Sequence, residues 1–148
     1  LKDGRYSILH IATHGQFATD VNQSFLLTFD DKLTMTQLER LVGLFRFRQD
    51  PLELLTLSAC QTGIGDDRAA LGLAGIAVKA GARSALATLW FINDEASSEL
   101  VSEFYRQLHD TSISKARALQ LAQLKLLSDR LYEHPAYWAA FLLFNNWL

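Results

Sequence analysis

The sequence predicts an α/β domain with a mostly parallel sheet and helices on both of its faces. The first observation is the order of its segments, because short apolar runs typical of strands alternate with segments of helical spacing. The second is the composition, since 49% of the residues are apolar and 20% are charged, as in a folded protein. The length of 148 residues suits one ordinary domain with its own core, so we expect a single domain over residues 1–148.

Apolar runs bounded by polar or turn-forming residues predict the strands. Tyr6–Thr13 is nearly continuously apolar, which is typical of a strand covered on both faces. Leu52–Ser58 is the second strong strand, and Ser24–Phe29 is a short one turned by two aspartates. Ser84–Trp90 is rich in small apolar residues, and the final run Tyr137–Phe144 predicts a helix turn followed by a strand.

Capping residues and the helical spacing of apolar side chains place helices at about residues 37–44, 68–80, 94–108 and 115–127. Thr36 and Glu39 have the spacing of a capping box before the first of them. Gly81 follows the second, as a glycine cap at a helix end does. Asn93 and Ser114 are predicted as the caps of the last two helices.

One thiol and one imidazole follow the two strongest strands. Right-handed crossovers bring the carboxyl ends of parallel strands to one edge of a sheet, which is where ligands bind in such folds. His14 comes after the first strand and Cys60, the only cysteine, after the second. A thiol needs a base to act as a nucleophile at neutral pH, and histidine is the usual one. The pattern favours a cysteine hydrolase.

Cys60 also has a structural interpretation, because free cysteines are more often small buried hydrophobes than nucleophiles. Its surroundings favour chemistry, since polar Ser58 and Gln61 flank it and a glycine-containing loop follows. That loop leads into a helix, and the positive end of a helix dipole stabilises a thiolate.

The other histidines have simpler interpretations than His14. His10 lies inside the first strand and suits a core residue, His109 suits a helix end, and His134 precedes a proline and suits a turn. His14 combines a strand end with a following glycine, Gly15, whose backbone N–H can approach a substrate oxyanion closely.

Several functions are disfavoured by the composition. The net charge is −2 without a basic stripe, so we expect no nucleic-acid partner. One cysteine fits a reducing, cytoplasmic setting, and no apolar run has the roughly 18 residues of a membrane helix, so we expect no membrane partner. The glycines fit neither a dinucleotide fingerprint nor a P-loop, and His14 and Cys60 are too few for zinc, so we expect no cofactor and no metal.

Motifs spread over nearly the whole chain carry a resemblance to a known family. They are His10-Ile-Ala-Thr-His-Gly15, Leu57-Ser-Ala-Cys-Gln-Thr-Gly63, Ala80-Gly-Ala-Arg-Ser84, Leu89-Trp90 with Asp94-Glu95, and His134-Pro-Ala-Tyr-Trp138. The chain resembles the CHAT domain family, caspase-like domains that are usually fused behind tetratricopeptide repeats in bacteria. The separation of His14 and Cys60 is also near the roughly 50 residues found in caspases.

The resemblance implies a caspase-like three-layer sandwich and a cysteine endopeptidase that acts on a protein or peptide. His14 is then the general base, Cys60 the nucleophile, and the backbone N–H groups of Gly15 and Cys60 the oxyanion hole. It implies further that residues 1–148 are the carboxyl-terminal portion of a larger domain or protein, with upstream repeats or other domains as partners. The alternative is a catalytically idle or truncated domain that acts as a regulatory or scaffold module.

Substrate selection rests on weaker signals. Two residues before the cysteine, metacaspases carry an aspartate and caspases a glutamine that face the first specificity pocket, whereas this chain carries Ser58. Asp66 and Asp67 could bind a basic side chain instead, and we expect a modest preference for arginine or lysine through Asp66, with Asp67 second. Two alternatives stay open: these acids form the solvated first turn of a helix, or exosites on upstream repeats choose the substrate.

Overall fold

The described residues form a six-stranded mixed sheet at the centre of the protein. The computed structural model describes residues 6–16, 18, 20–46, 52–61, 74–75, 77–78, 81–90 and 92–148. The strands are β1 (Ile8–Gln16), β2 (Phe25–Leu27), β3 (Lys32–Thr34), β4 (Leu54–Gln61), β5 (Ser84–Thr88) and β6 (Phe141–Asn145). Their order is β3-β2-β1-β4-β5-β6, in which β1, β4 and β5 are parallel and the other neighbours antiparallel. The predicted α/β class with a mostly parallel central sheet is confirmed.

Helices cover both faces of the sheet, as the sequence predicts. The α-helices of the described ranges are α1 (Met35–Arg46), α2 (Asp94–Leu108) and α3 (Lys115–Leu127). Residues 74–75 and 77–78 are also helical, and the remainder of the helix predicted at 68–80 lies outside the described residues. α1 packs on one face of the sheet, whereas α2 and α3 pack together on the other. The result is a three-layer sandwich.

Strand alternation sends consecutive side chains to two separate cores. One core joins Leu55 and Leu57 of β4 to side chains of α1 such as Leu38 and Val42. The other joins Leu54 of β4 and Leu86 of β5 to α2 and α3, with Leu100, Phe104, Ala122 and Leu126 among its buried members. Odd-numbered and even-numbered positions of β4 therefore face different layers, and the even-numbered face is the one that α2 covers.

β1 differs from its predicted form in two respects. It continues through His14 and Gly15 to Gln16, because the pairing with β4 extends to the Gly15 position and β2 pairs with the last two residues. Sheet hydrogen bonds here outweigh the local tendency of glycine to break a strand. The expectation that both faces of β1 are covered is also wrong. Leu9 and Ile11 pack against the core, whereas His10 and Ala12 are exposed.

The start of α1 lies two residues earlier than predicted. The Gln37 backbone N–H donates to Thr34 Oγ1 at 3.3 Å, and the Thr34 N–H donates to Gln37 Oε1 at 2.7 Å. These reciprocal bonds are a capping box on Thr34, so the prediction of Thr36 and Glu39 in this role is wrong. Strand β3, which the sequence did not predict, ends at Thr34 and supplies the capping residue.

The other predicted helix ends are confirmed. Gly81 has a φ of 112°, and its N–H donates to the Val78 carbonyl while that of Ala82 donates to the Ala77 carbonyl. Asn93 accepts from the Ala96 N–H at 3.1 Å, and Ser114 accepts from the Arg117 N–H at 3.1 Å. These caps fix the entry of α2 and α3 beneath the sheet.

The carboxyl-terminal segment forms one edge of the sheet. A 3₁₀ turn at Pro135–Tyr137 precedes β6, which pairs antiparallel with β5. Phe141 is 1% exposed, and Trp138 and Phe144 are partly buried. Gln123 of α3 donates to the carbonyls of Trp138 and Phe141 at 3.2 and 3.3 Å, which ties this segment to the helical layer.

Candidate active site

The backbone brings the positions of His14 and Cys60 side by side. β1 and β4 are neighbouring parallel strands, and their register pairs Ile8 with Leu54 at one end and His14 with Cys60 near the other. Neighbouring strands lie about 4.8 Å apart, and paired positions belong to the same face of the pleat. Both strands extend beyond their predicted ends. His14 and Cys60 are therefore strand residues near the carboxyl ends of β1 and β4, and do not belong to the loops that follow. This corrects the expectation that each follows a strand.

A cavity of about 480 Å³ opens on this face of the sheet, between the strand ends and α2. The sheet contributes side chains from β1, β4 and β5, and α2 contributes one face along most of its length. The lining residues are His10, Ala12, Thr13, His14, Ser58, Thr88, Ile92, Asp94, Ser97, Ser98, Val101, Ser102 and Tyr105. The exposed His14 is therefore part of a concave surface on which several hydroxyl side chains lie among apolar ones. Concave sites with a few converging polar groups are the usual form of a ligand site.

Two hydrogen bonds organise the base of this cavity. Nε2 of His10 lies 2.7 Å from Ser58 Oγ, across the β1–β4 ladder. The Tyr105 hydroxyl donates to Thr56 Oγ1 at 2.8 Å, and the His10 and Tyr105 rings lie 5.7 Å apart between centroids. His10 is thus an exposed cavity residue with a polar partner, so its interpretation as a core residue is wrong.

The surroundings alter the acid–base behaviour of the two rings. Partial removal of the His10 ring from water disfavours its charged form and lowers its pKa below the usual value. The same effect raises the pKa of Tyr105, and its hydrogen bond with Thr56 acts in the opposite direction. The lowered pKa favours the neutral form of His10 at pH 7, in which one ring nitrogen is a donor and the other an acceptor.

Sequence reasoning missed the contribution of α2 to this site. The sequence motifs include Asp94 without a role in the site, but it lines the cavity, and Ser97, Ser102 and Tyr105 do so from later turns of α2. Their spacing along one helical face is a signal that the sequence does contain. The Tyr105–Thr56 bond has no such signal, since it joins residues of two distant segments.

The predicted substrate residues have different outcomes. Ser58 is partly buried and lines the cavity. Asp66 and Asp67 lie outside the described residues, as does the glycine loop before them. Gly15 is buried and pairs by register with Gln61 on one side and with Leu26 on the other. Its role and that of the Cys60 N–H in an oxyanion hole remain predictions.

Within the part of the chain that the structure describes, no three histidine, cysteine or acidic side chains are grouped as a metal ion would require. Over the same residues, every helix is too short or too polar to cross a membrane. His109 and His134 have the local roles that the sequence predicts, as the C-cap of α2 and as the N-cap of the 3₁₀ turn.

Comparison with known families decides what kind of domain this is. The sequence model described as the CHAT domain matches residues 1–146 of the chain. This chain belongs to the CHAT domain family. The three-layer α/β architecture is consistent with the caspase-like fold of CHAT domains, and the match spans all of the elements described above. A search of curated proteins found no significant match to this CHAT domain.

Proposed function

We propose that this CHAT domain is a cysteine endopeptidase in which His14 and Cys60 act as a catalytic pair. The observation that supports it most is the register of β1 and β4, which pairs these two positions at the carboxyl ends of neighbouring parallel strands. This is the edge at which parallel sheets bind ligands. It carries the thiol position and the imidazole, and a cavity adjoins it. The substrate is a protein or a peptide.

The chemistry follows from the residue types. The Cys60 thiolate attacks the carbonyl carbon of the scissile peptide bond, and the oxyanion receives hydrogen bonds from the backbone N–H groups of Gly15 and Cys60. The histidinium of His14 protonates the leaving amine as the tetrahedral intermediate collapses to a thioester. His14 then accepts a proton from water, which attacks the thioester and releases the new carboxylate. The chain supplies every proton transfer, so the cycle needs no cofactor.

Selective alkylation tests the pairing directly, because Cys60 is the only thiol in the chain. The wild type, His14→Ala and Cys60→Ala are treated with iodoacetamide between pH 5 and pH 9 and followed by intact mass. A thiol activated by His14 reacts at pH 7 at least several-fold faster in the wild type than in His14→Ala. The matched control is His109→Ala, which removes an exposed histidine at the far end of α2. Equal rates in the wild type and His14→Ala would show that His14 does not activate Cys60.

The rival function is a regulatory or scaffold module without catalysis. The two are separated by incubating the parent protein with a proteome-derived peptide library and sequencing the new amino termini. Cleavage that is lost in both Cys60→Ala and His14→Ala supports the peptidase. Unchanged peptides, together with an alkylation rate that does not depend on His14, support the scaffold.

Substrate binding and partners extend the same proposal. Ser58 lines the cavity next to the His14 position and contacts the substrate side chain there. A preference for arginine or lysine through Asp66, with Asp67 second, remains a prediction, as do upstream repeats that select the substrate. A panel of fluorogenic peptides, tested on the parent protein and on its Asp66→Ala variant, distinguishes these alternatives. If the ratio of cleavage rates for basic and neutral substrates is the same in both proteins, Asp66 does not determine the preference.

A further inference from the structure

The base of the cavity contains a titratable group that the proposed catalytic cycle does not use. His10 lies four residues before His14 on the same face of β1, and its Nε2 lies 2.7 Å from Ser58 Oγ. We propose that the His10–Ser58 pair is a specificity determinant that selects an uncharged amide side chain of the size of glutamine when His10 is neutral and accepts glutamate when His10 is protonated. This inference rests on the proposed function only in taking the cavity as the site of a substrate side chain, and for that side chain it is an alternative to the preference for arginine or lysine through Asp66.

The cavity presents both hydrogen-bond donors and hydrogen-bond acceptors to a bound side chain. A neutral imidazole offers one donor and one acceptor, and the Ser58 hydroxyl can do either. The Tyr105 hydroxyl donates its hydrogen to Thr56, so toward a ligand it accepts. An amide side chain carries both an acceptor oxygen and donor hydrogens, so it complements this mixture. An ionised carboxylate only accepts, so neutral His10 leaves part of the site mismatched to glutamate.

Protonation reverses this preference. Both ring nitrogens of an imidazolium donate, and a charge-assisted bond to a carboxylate is roughly twice as strong as a neutral one. Because its surroundings lower the pKa of His10, the neutral form prevails at pH 7 and the charged form gains only as the pH falls below the ordinary range for histidine. Glutamate binding therefore improves on acidification, while glutamine binding does not.

Size and wall chemistry agree with such a side chain. A cavity of about 480 Å³ has room for a glutamine side chain with its flanking backbone. Ala12, Ile92 and Val101 provide apolar walls for the methylene groups. The hydrogen-bonding groups of His10, Ser58 and Tyr105 cluster at the base, where a terminal amide would lie.

Other charged and titratable groups face His10 from the elements around it. His14 lies further along β1, and α2 contributes Tyr105 and Asp94. The backbone of Cys60 pairs by register with His14, four residues from His10. On the side of β2 and β3, the residues that share a groove with His10 are uncharged. Asp94 is in the first turn of α2, where the helix dipole offsets a negative charge. The variant Asp94→Asn measures its contribution to the preference.

The test uses binding, so that it stands apart from catalysis. Cys60→Ala is titrated with two acetylated, amidated pentapeptides, Ala-Ala-Gln-Ala-Ala and Ala-Ala-Glu-Ala-Ala, and the histidine ring signals are followed by NMR from pH 8 to pH 5. Over this range the peptide carboxylate stays ionised, since its ordinary pKa is about 4.3. The ratio of glutamate to glutamine affinity is expected to rise by about tenfold on acidification in Cys60→Ala and to stay flat once His10→Asn is added. His109→Asn in the same background is the control, and Asp94→Asn shows how much of the ratio at pH 8 belongs to that acid.

Linkage supplies a second readout that needs no substitution at His10. If protonated His10 binds glutamate better, the glutamate peptide must raise the pKa of His10 in return, and the glutamine peptide must not. An affinity ratio that rises equally with His10→Asn, equal effects of both peptides on the His10 titration, or no shift of the His10 signal with either peptide would each overturn the inference. None of these results depends on cleavage, which the alkylation and library experiments test on their own.

Discussion

The hydroxyl of Tyr105 donates a 2.8 Å hydrogen bond to Oγ1 of Thr56, and this contact joins α2 to β4 directly beneath the candidate site. Thr56 is 1% exposed, so its hydroxyl has lost its access to water and depends on this partner. The bond fixes the helix that forms one wall of the cavity against the strand that carries Cys60. The rigidity of the site thus depends on a contact outside the proposed catalytic pair.

Removing one partner of that bond should destabilise the protein more than removing both. Tyr105→Phe leaves the buried Thr56 hydroxyl unpaired and is expected to lower the free energy of unfolding by about 1–2 kcal/mol. Adding Thr56→Val to Tyr105→Phe should cost less than the sum of the two single substitutions, with a coupling of about 1 kcal/mol by urea unfolding. Tyr6→Phe, at an exposed tyrosine, is the control. Strict additivity would mean that the bond contributes nothing in solution.

Glu103 should make stability fall with acid in a way that one substitution removes. Its carboxylate is 5% exposed, and hydrogen bonds from Arg106 above all, then from Gln107 and Lys125, hold its pKa at about 2 instead of 4.5. A lowered pKa stabilises the fold fully above about pH 4.5, and this stabilisation is lost as the pH falls from there toward 2. Because Arg106 and Lys125 are largely exposed and screened by water, we expect the effect to be on the order of 2 kcal/mol.

The measurement compares urea unfolding of the wild type and Glu103→Gln at pH 5 and pH 3. The stability advantage of the wild type should shrink on acidification. Glu99→Gln is the matched control, because Glu99 also lies near Lys125, at 3.4 Å, but is 55% exposed. A wild-type advantage that is the same at both pH values would contradict the assigned role of Glu103.

Two threonines at the start of α1 should differ in their effect on stability. Thr34 makes the capping bonds with Gln37, so Thr34→Ala is expected to cost about 1 kcal/mol of unfolding free energy. Thr36 is exposed within the first turn, and Thr36→Ala should change stability by less than about 0.5 kcal/mol. The reverse order would restore Thr36 as the cap.

A buried and an exposed phenylalanine should differ strongly in their contribution to stability. Phe104 is fully buried between the sheet and α3, so Phe104→Ala should cost about 3–5 kcal/mol. Phe29, at the turn between β2 and β3, is fully exposed, and Phe29→Ala should leave the thermal midpoint nearly unchanged. A large loss at Phe29 would indicate that this ring is covered in solution.

Local signals in the sequence were sufficient for the features that single segments determine. The caps at Asn93 and Ser114 and the glycine at position 81 depend on a few neighbouring residues, and each was predicted correctly. The ends of β1 and β4 were not, because pairing between strands distant in the chain decides how far each continues. The same limit applies to the site: the histidine and cysteine motifs indicate it, whereas the α2 wall arises only when the layers assemble.

The alternation along β1 also has a consequence for sequence variation. Leu9 and Ile11 pack into the core, while His10, Ala12 and His14 line the cavity on the opposite face. A saturation library of this strand scored twice, once for cellular abundance and once for function, should therefore give two interleaved profiles. Abundance would restrict the odd positions and function the even ones, so that recognition could diversify among descendants of this chain while the same hydrophobic residues keep it folded.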